Sequence, residues 1–192
     1  MRQLILTGLL VCFVARVAPA QSRLEAGVFL DSLSISQTNT NNFGLGGRFG
    51  YRVHHDVQLE GELAYDYGVN FKEAYRNITT GNVAAIENTS IGVTNFLVGP
   101  KLQPKGGFRP FATLKAGFMD FRLAPSLLPY SNLVSPILGL RTSSLTFALY
   151  PAAGVEATLG PVGLRLEFGD EMYFNSGTHN NLRITFGPIL RF

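Results

Sequence analysis

The chain has 192 residues, of which 46% are hydrophobic and 15% charged, with 21 glycines and no tryptophan. Its length suits one domain, and its formal net charge of +3, without a basic face or stripe, excludes a typical nucleic-acid-binding surface. No stretch of the mature chain approaches the roughly 18 consecutive apolar residues of a membrane-spanning helix, which excludes a helical membrane protein.

Residues 1–20 are predicted to be a cleavable signal peptide rather than a part of the fold. The segment starts with a positive residue, continues with a short apolar run over 4–14 and ends in small residues at 18–20, which is typical of a cleavage site. The apolar run is too short to span a bilayer. The chain is therefore expected to be exported, with residues 21–192 as its single mature domain.

Removal of the signal peptide changes the composition. Arg2, Arg16 and Cys12 would be lost, so the mature domain has 14 basic and 13 acidic side chains and no cysteine. Most of the apparent basicity then disappears, and neither a disulfide nor a thiol site can be invoked. The many glycines and aromatic residues, together with few charges, favour a β structure with many turns.

Alternating polarity predicts eight strands in the mature domain, because successive side chains of a strand point to opposite faces. The predicted strands are 23–33, 43–53, 57–68, 89–102, 108–122, 143–159, 162–174 and 181–192. Their connections alternate in length, the longest at 69–88 and 123–142 and the shortest at 54–56, 103–107 and 160–161. This alternation is typical of an up-and-down membrane barrel, whose short turns are periplasmic.

The charged faces of neighbouring strands agree with one another. The turn at 54–56 places Arg48 opposite Glu62, and the turn at 160–161 places Glu156 opposite Arg165. In both cases the register sets charge against opposite charge on one face and apolar residues on the other. These four residues are the predicted charge pairs of a barrel interior.

Seventeen charged residues share the predicted inward face, nine positive and eight negative: Arg23, Glu25, Asp31, Arg48, Arg52, Glu60, Glu62, Asp66, Lys101, Arg109, Lys115, Glu156, Arg165, Glu167, Glu171, Arg183 and Arg191. Near-neutrality is what a closed interior requires, since an unpaired buried charge is costly. Because eight strands enclose barely enough space for side chains, a packed polar interior without a wide pore is predicted. Lys101 and Arg109 are expected to face each other beside the turn at 103–107.

Aromatic residues gather near the predicted strand ends and indicate two interfacial girdles. The girdle beside the long loops would contain Phe43, Tyr65, Tyr67, Phe118, Phe121, Tyr173 and Phe174. The girdle beside the short turns would contain Tyr51, Phe108 and Phe192.

The final segment, 181–192, has Phe186, Leu190 and Phe192 on its apolar face and two arginines on the other. It resembles the C-terminal strand of bacterial outer-membrane proteins, whose terminal aromatic residue is read by the assembly machinery. The whole mature chain is similar to small outer-membrane barrels of the OmpA/OmpX-like (porin-family) type. The resemblance implies contacts with outer-membrane lipid, lipopolysaccharide and the assembly machinery, and makes these three residues the C-terminal assembly signal.

The predicted fold class is all-β: an eight-stranded antiparallel up-and-down transmembrane β-barrel preceded by a cleavable signal peptide. The resemblance implies an outer-membrane location and a structural or surface-interaction role, with a surface partner bound through the loops 69–88 and 123–142. Function in such barrels lies in the loops above a rigid scaffold.

The sequence predicts no catalytic, cofactor or metal site. The glycine-rich stretch 44–50 lacks the third glycine of a dinucleotide loop, and His54 and His55 lack the further ligands of a metal site. Two other functions remain open, a narrow channel for small solutes and a lipid A-modifying, deacylase-like enzyme. The enzyme would use Ser176, His179 and Glu171 near the outer rim. A soluble lipocalin is disfavoured because it needs the opposite polarity of the two faces.

Overall fold

The computed structural model describes residues 23–36, 39–77, 80, 83–125, 133–134, 143–175 and 177–192, and every regular element in these residues is a strand. The strands are β1 (Leu24–Ile35), β2 (Thr40–Arg52), β3 (Val57–Asn77), β4 (Val83–Leu102), β5 (Phe108–Pro125), β6 (Leu133–Val134), β7 (Ser143–Leu159), β8 (Val162–Asp170), β9 (Met172–Phe174), β10 (Thr178–His179) and β11 (Asn181–Arg191). No helix in the described ranges is long and apolar enough to cross a membrane.

The strands form one closed antiparallel barrel. The order around the sheet is β7, β5, β4, β3, β2, β1, β11 and β8, and the pairing of β7 with β8 closes it. β9 continues β8 after a break at Glu171 and also pairs with β7, so these two elements form one barrel strand, whereas β6 and β10 are short additions. The predicted eight-stranded antiparallel barrel is thereby confirmed.

Strict alternation of side chains sets the two faces of the wall. In β11 every second residue is buried, from Asn181 to Arg191, and the residues between them are exposed. The pairing of β11 with β1 sets Glu25 opposite Arg191 and Leu30 opposite Phe186. Charged side chains therefore meet inside the barrel and apolar side chains meet outside it, because a register fixed at one pair is fixed along the whole strand.

The two ends of the barrel differ. One end, called the turn end here, has the short connections at residues 53–56, 103–107 and 160–161. At the other end, called the hairpin end, β3 and β4 continue beyond their neighbours. The pairing of β2 with β3 stops at Asp66, whereas that of β3 with β4 continues to Arg76 opposite Val83.

This hairpin corrects one sequence expectation. The predicted loop at 69–88 is mostly strand, and β6 adds to it by pairing with Arg76 and Asn77. Beyond the barrel wall a strand faces neither lipid nor the lumen, so its residues need not alternate between polar and apolar. Backbone hydrogen bonds alone can form such strands, and the sequence pattern does not reveal them. Within the predicted loop 123–142, residues 123–125 belong to β5 and 133–134 to β6. The rest of that predicted loop, 126–132 and 135–142, lies outside the described residues.

Candidate functional site: the barrel interior

Thirteen buried side chains form one connected set of ion pairs, called the charge network here. It consists of six basic and seven acidic residues: Arg48, Lys101, Lys115, Arg165, Arg183, Arg191, Glu25, Asp31, Glu60, Glu62, Glu156, Glu167 and Glu171. None of them is more than 6% exposed. Buried charges are costly unless they are paired, and in the network every cation is shared among several carboxylates or hydroxyls.

Two lysines each sit among three carboxylates. The Nζ atom of Lys101 lies 2.9 Å from Glu25 and 2.7 Å from Glu156, with Glu60 at 3.5 Å. The Nζ atom of Lys115 likewise lies 2.9 Å from Glu60, 2.6 Å from Glu62 and 3.1 Å from Glu167. Each lysine donates hydrogen bonds to two of its three carboxylates and is paired with the third by charge.

Two arginines stack on phenylalanine rings inside the barrel. The guanidinium carbon of Arg48 lies 4.2 Å from the ring centroid of Phe29, and that of Arg165 lies 4.2 Å from Phe111. Such stacking is a favourable cation–π arrangement. Each ring is accommodated by a glycine, since a Cβ atom on Gly46 would meet Phe29 and one on Gly154 would meet Phe111 at 2.5 Å. The inward glycines therefore make room for rings that orient the arginines.

The predicted pair Arg48 and Glu62 lies in register on β2 and β3. The recorded ion pair of Arg48, however, is with Glu167 at 3.4 Å, and its Nη2 donates to Thr185 at 2.8 Å. Glu62 instead accepts from Lys115 and from Nη1 of Arg183 at 2.7 Å. Long side chains cross the narrow lumen to partners on other strands in preference to the residue beside them.

The second predicted pair, Glu156 and Arg165, also lies in register, on β7 and β8. Their closest recorded atoms, Oε1 and Nη1, are 3.5 Å apart. The nearer partners of Arg165 are Glu60 and Glu167, and Glu156 is nearer to Lys101. Sequence reasoning thus found the right neighbours, but it missed the partners across the lumen, for which strand alternation gives no signal.

The predicted contact between Lys101 and Arg109 is wrong. Lys101 lies opposite Thr113, and Arg109 lies opposite Glu156. The reason is that the pairing of β4 with β5 ends at Leu102 opposite Ala112, while residues 108–111 of β5 pair with β7. Counting across a five-residue turn at 103–107 therefore gives the wrong register. Lys101 is fully buried among carboxylates, whereas Arg109 is half-buried and donates to the carbonyl of Gly106.

The interior is not polar throughout. Its hairpin-end half contains an apolar cluster, called the apolar cap here, that consists of Leu33, Ile35, Ile91, Val93, Leu97, Met119, Phe121, Ala148, Tyr150 and Tyr173. The charge network therefore occupies only part of the interior, and buried polar side chains such as Asp66 and Asn95 also lie outside it. The apolar side chains of the cap need no charge partners and pack against one another.

The outer face of the wall has the predicted aromatic girdles in part. Phe43, Tyr65, Tyr67, Phe118 and Phe174 are exposed at the hairpin end, and Tyr51, Phe108 and Phe192 are exposed at the turn end. Two assignments are wrong, because Phe121 and Tyr173 point inward and are buried in the apolar cap. Alternation along the strand places both residues on the inner face, although each lies near a strand end.

The residues weighed for lipid hydrolysis have other partners. Glu171 is buried, with Oε2 at 3.3 Å from Arg183, and Nε2 of His179 lies 3.1 Å from the carbonyl of Asn175. Ser176 lies outside the described residues. His54 and His55 are exposed at the turn end, and the described part of the chain contains no group of three or more His, Cys, Asp or Glu side chains arranged to hold a metal ion.

The sequence matches no protein-family model and no curated protein. Similarity appears only when three-dimensional structures are compared.

Three solved structures illustrate this similarity. Neisserial surface protein A aligns with a TM-score of 0.56 at 12% identity, over 88% of this chain and 96% of that one. Ail, the attachment invasion locus protein of Yersinia pestis, solved with the heparin analogue sucrose octasulfate, aligns with a TM-score of 0.52 at 15% identity over 89% and 97%. The N-terminal β-barrel domain of Pseudomonas aeruginosa OprF aligns with a TM-score of 0.51 at 10% identity over 90% and 100%. The chain thus has the fold of the small eight-stranded outer-membrane barrels.

Proposed function

We propose that the protein is a closed outer-membrane barrel that serves as a structural scaffold and presents its hairpin end for surface interactions. The observation that carries the proposal is the inverted polarity of the barrel. Large apolar side chains are exposed on the wall, for example Phe43 at 64%, Leu30 at 60% and Leu145 at 70%, while the charged side chains are inside. Only a lipid environment makes such a wall favourable.

The hairpin of β3 and β4 is the part best suited to reach a partner. Its pairing extends from Asp66, where the β2–β3 pairing ends, to Arg76, which is ten residues farther along β3 and corresponds to roughly 33 Å of strand length. Ail shares the fold and was solved with a sulfated ligand, which supports a search for surface partners.

Orientation can be tested by labelling single cysteines on intact cells. The predicted mature domain has no cysteine, so Thr80→Cys in the hairpin and His55→Cys in the turn end would each give one exposed thiol. We expect a membrane-impermeant maleimide to label Thr80→Cys on intact cells and His55→Cys only after the outer membrane is permeabilised. Equal labelling of both variants, or recovery of the protein in the soluble fraction, would contradict the proposal.

A narrow channel is the alternative function, and the interior argues against a wide one. The charge network and the apolar cap together fill the bore with buried side chains, so no continuous water path of porin size is expected. The test is single-channel recording in planar bilayers. Steady porin-sized conductance from the wild-type barrel would contradict the scaffold function and show that the protein is a channel.

A further inference from the structure

Four basic side chains at the turn end stand outside the charge network: Arg23, Arg52, Lys105 and Arg109, called the mouth cluster here. The three arginines have the inward parity of their strands, but they lie beyond the buried layer and are exposed or half-buried. No ion pair within 4.0 Å is recorded for any of the four among the described residues. They differ in this respect from every basic residue of the network.

The mouth cluster is gathered around one opening. The backbone N–H of Arg52 donates to the carbonyl of Arg23 at 2.7 Å. The N–H of Gln103 donates to the carbonyl of Asp56 at 2.9 Å, which brings the turn containing Lys105 beside the turn at 53–56. Arg109 lies opposite Glu156 in the barrel wall, and the guanidinium group of Arg191 also reaches Glu156. The positive charges therefore add at the mouth of the lumen.

Below the mouth cluster lies Arg191, which is buried and stands opposite Glu25. Its Nε donates to Glu25 at 2.8 Å, and its Nη2 reaches Glu156 and the side-chain oxygen of Gln103. Its Nη1 is buried without a hydrogen-bond partner among the described groups. Nη1 of Arg191 is thus a buried donor without a described acceptor, and it lies beside the mouth cluster.

The carboxylates near the mouth do not neutralise this excess. Glu25 and Glu156 are shared between Lys101, Arg165 and Arg191 inside the network. Asp56 is the one exposed acidic side chain described at the turn end. An external anion is the remaining way to stabilise several like charges held together.

We propose that the mouth cluster binds the phosphate group of an anionic phospholipid in the leaflet that meets the turn end. Guanidinium groups donate bidentate hydrogen bonds to phosphate. The depth is suitable, because Arg52, Arg109 and Arg191 each adjoin an exposed aromatic residue of the turn-end girdle, and such girdles lie at the level of lipid headgroups. The site is distinct from any lipopolysaccharide contact at the hairpin end. It rests on the proposed function, which places the turn end at the inner leaflet.

The test is native mass spectrometry of the folded mature protein released from detergent with equal amounts of phosphatidylglycerol and phosphatidylcholine. Each basic residue near an anionic lipid surface contributes about fivefold in affinity, so wild type should retain phosphatidylglycerol at least roughly fivefold more than phosphatidylcholine. The variant R23Q/R52Q/R109Q should lose this preference. The control R122Q removes an exposed arginine from the hairpin end and should keep it.

Folding is not expected to limit the experiment, because the substituted arginines make no recorded ion pair, and the change of gel migration on boiling checks each variant. Added salt should weaken the wild-type preference, since exposed charges are screened.

Equal retention of the two lipids by wild type would overturn the proposal. Displacement of phosphatidylglycerol by equimolar inorganic phosphate or by a soluble peptidoglycan stem peptide would overturn the lipid assignment in favour of a free oxyanion. Surface labelling of His55→Cys on intact cells would overturn the orientation instead, and lipid selectivity is measured independently of it.

Discussion

Arg165 and Glu60 are 105 residues apart in the chain, yet Nη2 of Arg165 lies 2.9 Å from Oε1 of Glu60. Their strands, β8 and β3, are four positions apart in a ring of eight. The pair therefore spans the full width of the lumen. The contact links two opposite walls of the barrel.

We expect Glu60→Gln to destabilise the barrel by about 3 kcal/mol, at the lower end of the range for breaking a buried ion pair. Glu60 accepts from Arg165 and is also within 3.5 Å of Lys101 and 2.9 Å of Lys115, so three buried cations would lose one carboxylate. The measurement is reversible urea unfolding of the protein in lipid vesicles. The matched control is Asp120→Asn, which breaks an exposed pair with Arg122 and should cost less than about 1 kcal/mol. Equal effects of the two substitutions would show that the network contributes nothing to stability.

Neighbouring glycines of β2 should respond in opposite ways to an added methyl group. A Cβ atom on Gly46 would meet the ring of Phe29 and lie 2.8 Å from the backbone oxygen of Leu63, whereas one on Gly47 would approach only the oxygen of Gly27, at 3.9 Å. We expect Gly46→Ala to destabilise by about 1–3 kcal/mol through overpacking. Gly47→Ala should be neutral or stabilising by up to about 1 kcal/mol, because glycine costs entropy within a strand. Unfolding in lipid measures both, and a larger loss for Gly47→Ala would mean that the two faces are assigned the wrong way round.

The sequence predicts those features that depend on the regular alternation of side chains along a strand. Alternation locates each face, and a tight turn fixes the register nearby, so Glu156 opposite Arg165 follows from counting. The contact between Arg165 and Glu60 depends on how the eight strands close into a barrel and on how far the side chains reach across the lumen. Neither property can be predicted from the local alternation of residues. The same limit explains Lys101, whose counted register fails because the ladder of β4 and β5 ends at Leu102 opposite Ala112 and not at the predicted tight turn.

The lipid-facing wall should reject charge according to depth. Leu166 is in the middle of β8 and 43% exposed, whereas Leu159 is 89% exposed beside the turn at 160–161. We expect Leu166→Arg to destabilise by about 2–4 kcal/mol and the control Leu159→Arg by about 1 kcal/mol or less. Both are measured by unfolding in lipid vesicles. If the control were the more damaging of the two, Leu166 would not lie near the bilayer centre.

The apolar face of β11 should matter more for assembly in cells than for the stability of the finished barrel. Phe186, Leu190 and Phe192 are each exposed on the wall by 42–47%, and we propose that they form the signal read by the assembly machinery. Phe192 is at the turn end of this face, where its backbone N–H and carbonyl pair with Leu24 at 3.0 Å. Those backbone bonds survive truncation of the side chain, so Phe192→Ala should refold in vesicles with a loss of only about 1–2 kcal/mol from the apolar contacts of the ring.

In cells the same variant should accumulate several-fold less heat-modifiable barrel than wild type, measured by gel migration of outer-membrane fractions with and without boiling. The matched control is Phe168→Ala, which removes an equally exposed ring, 55% against 45%, from the middle of β8. The control should lose at least as much stability in vesicles and yet assemble better. If both variants assembled in proportion to their stability in vesicles, Phe192 would be an ordinary lipid-facing residue and not a recognition signal.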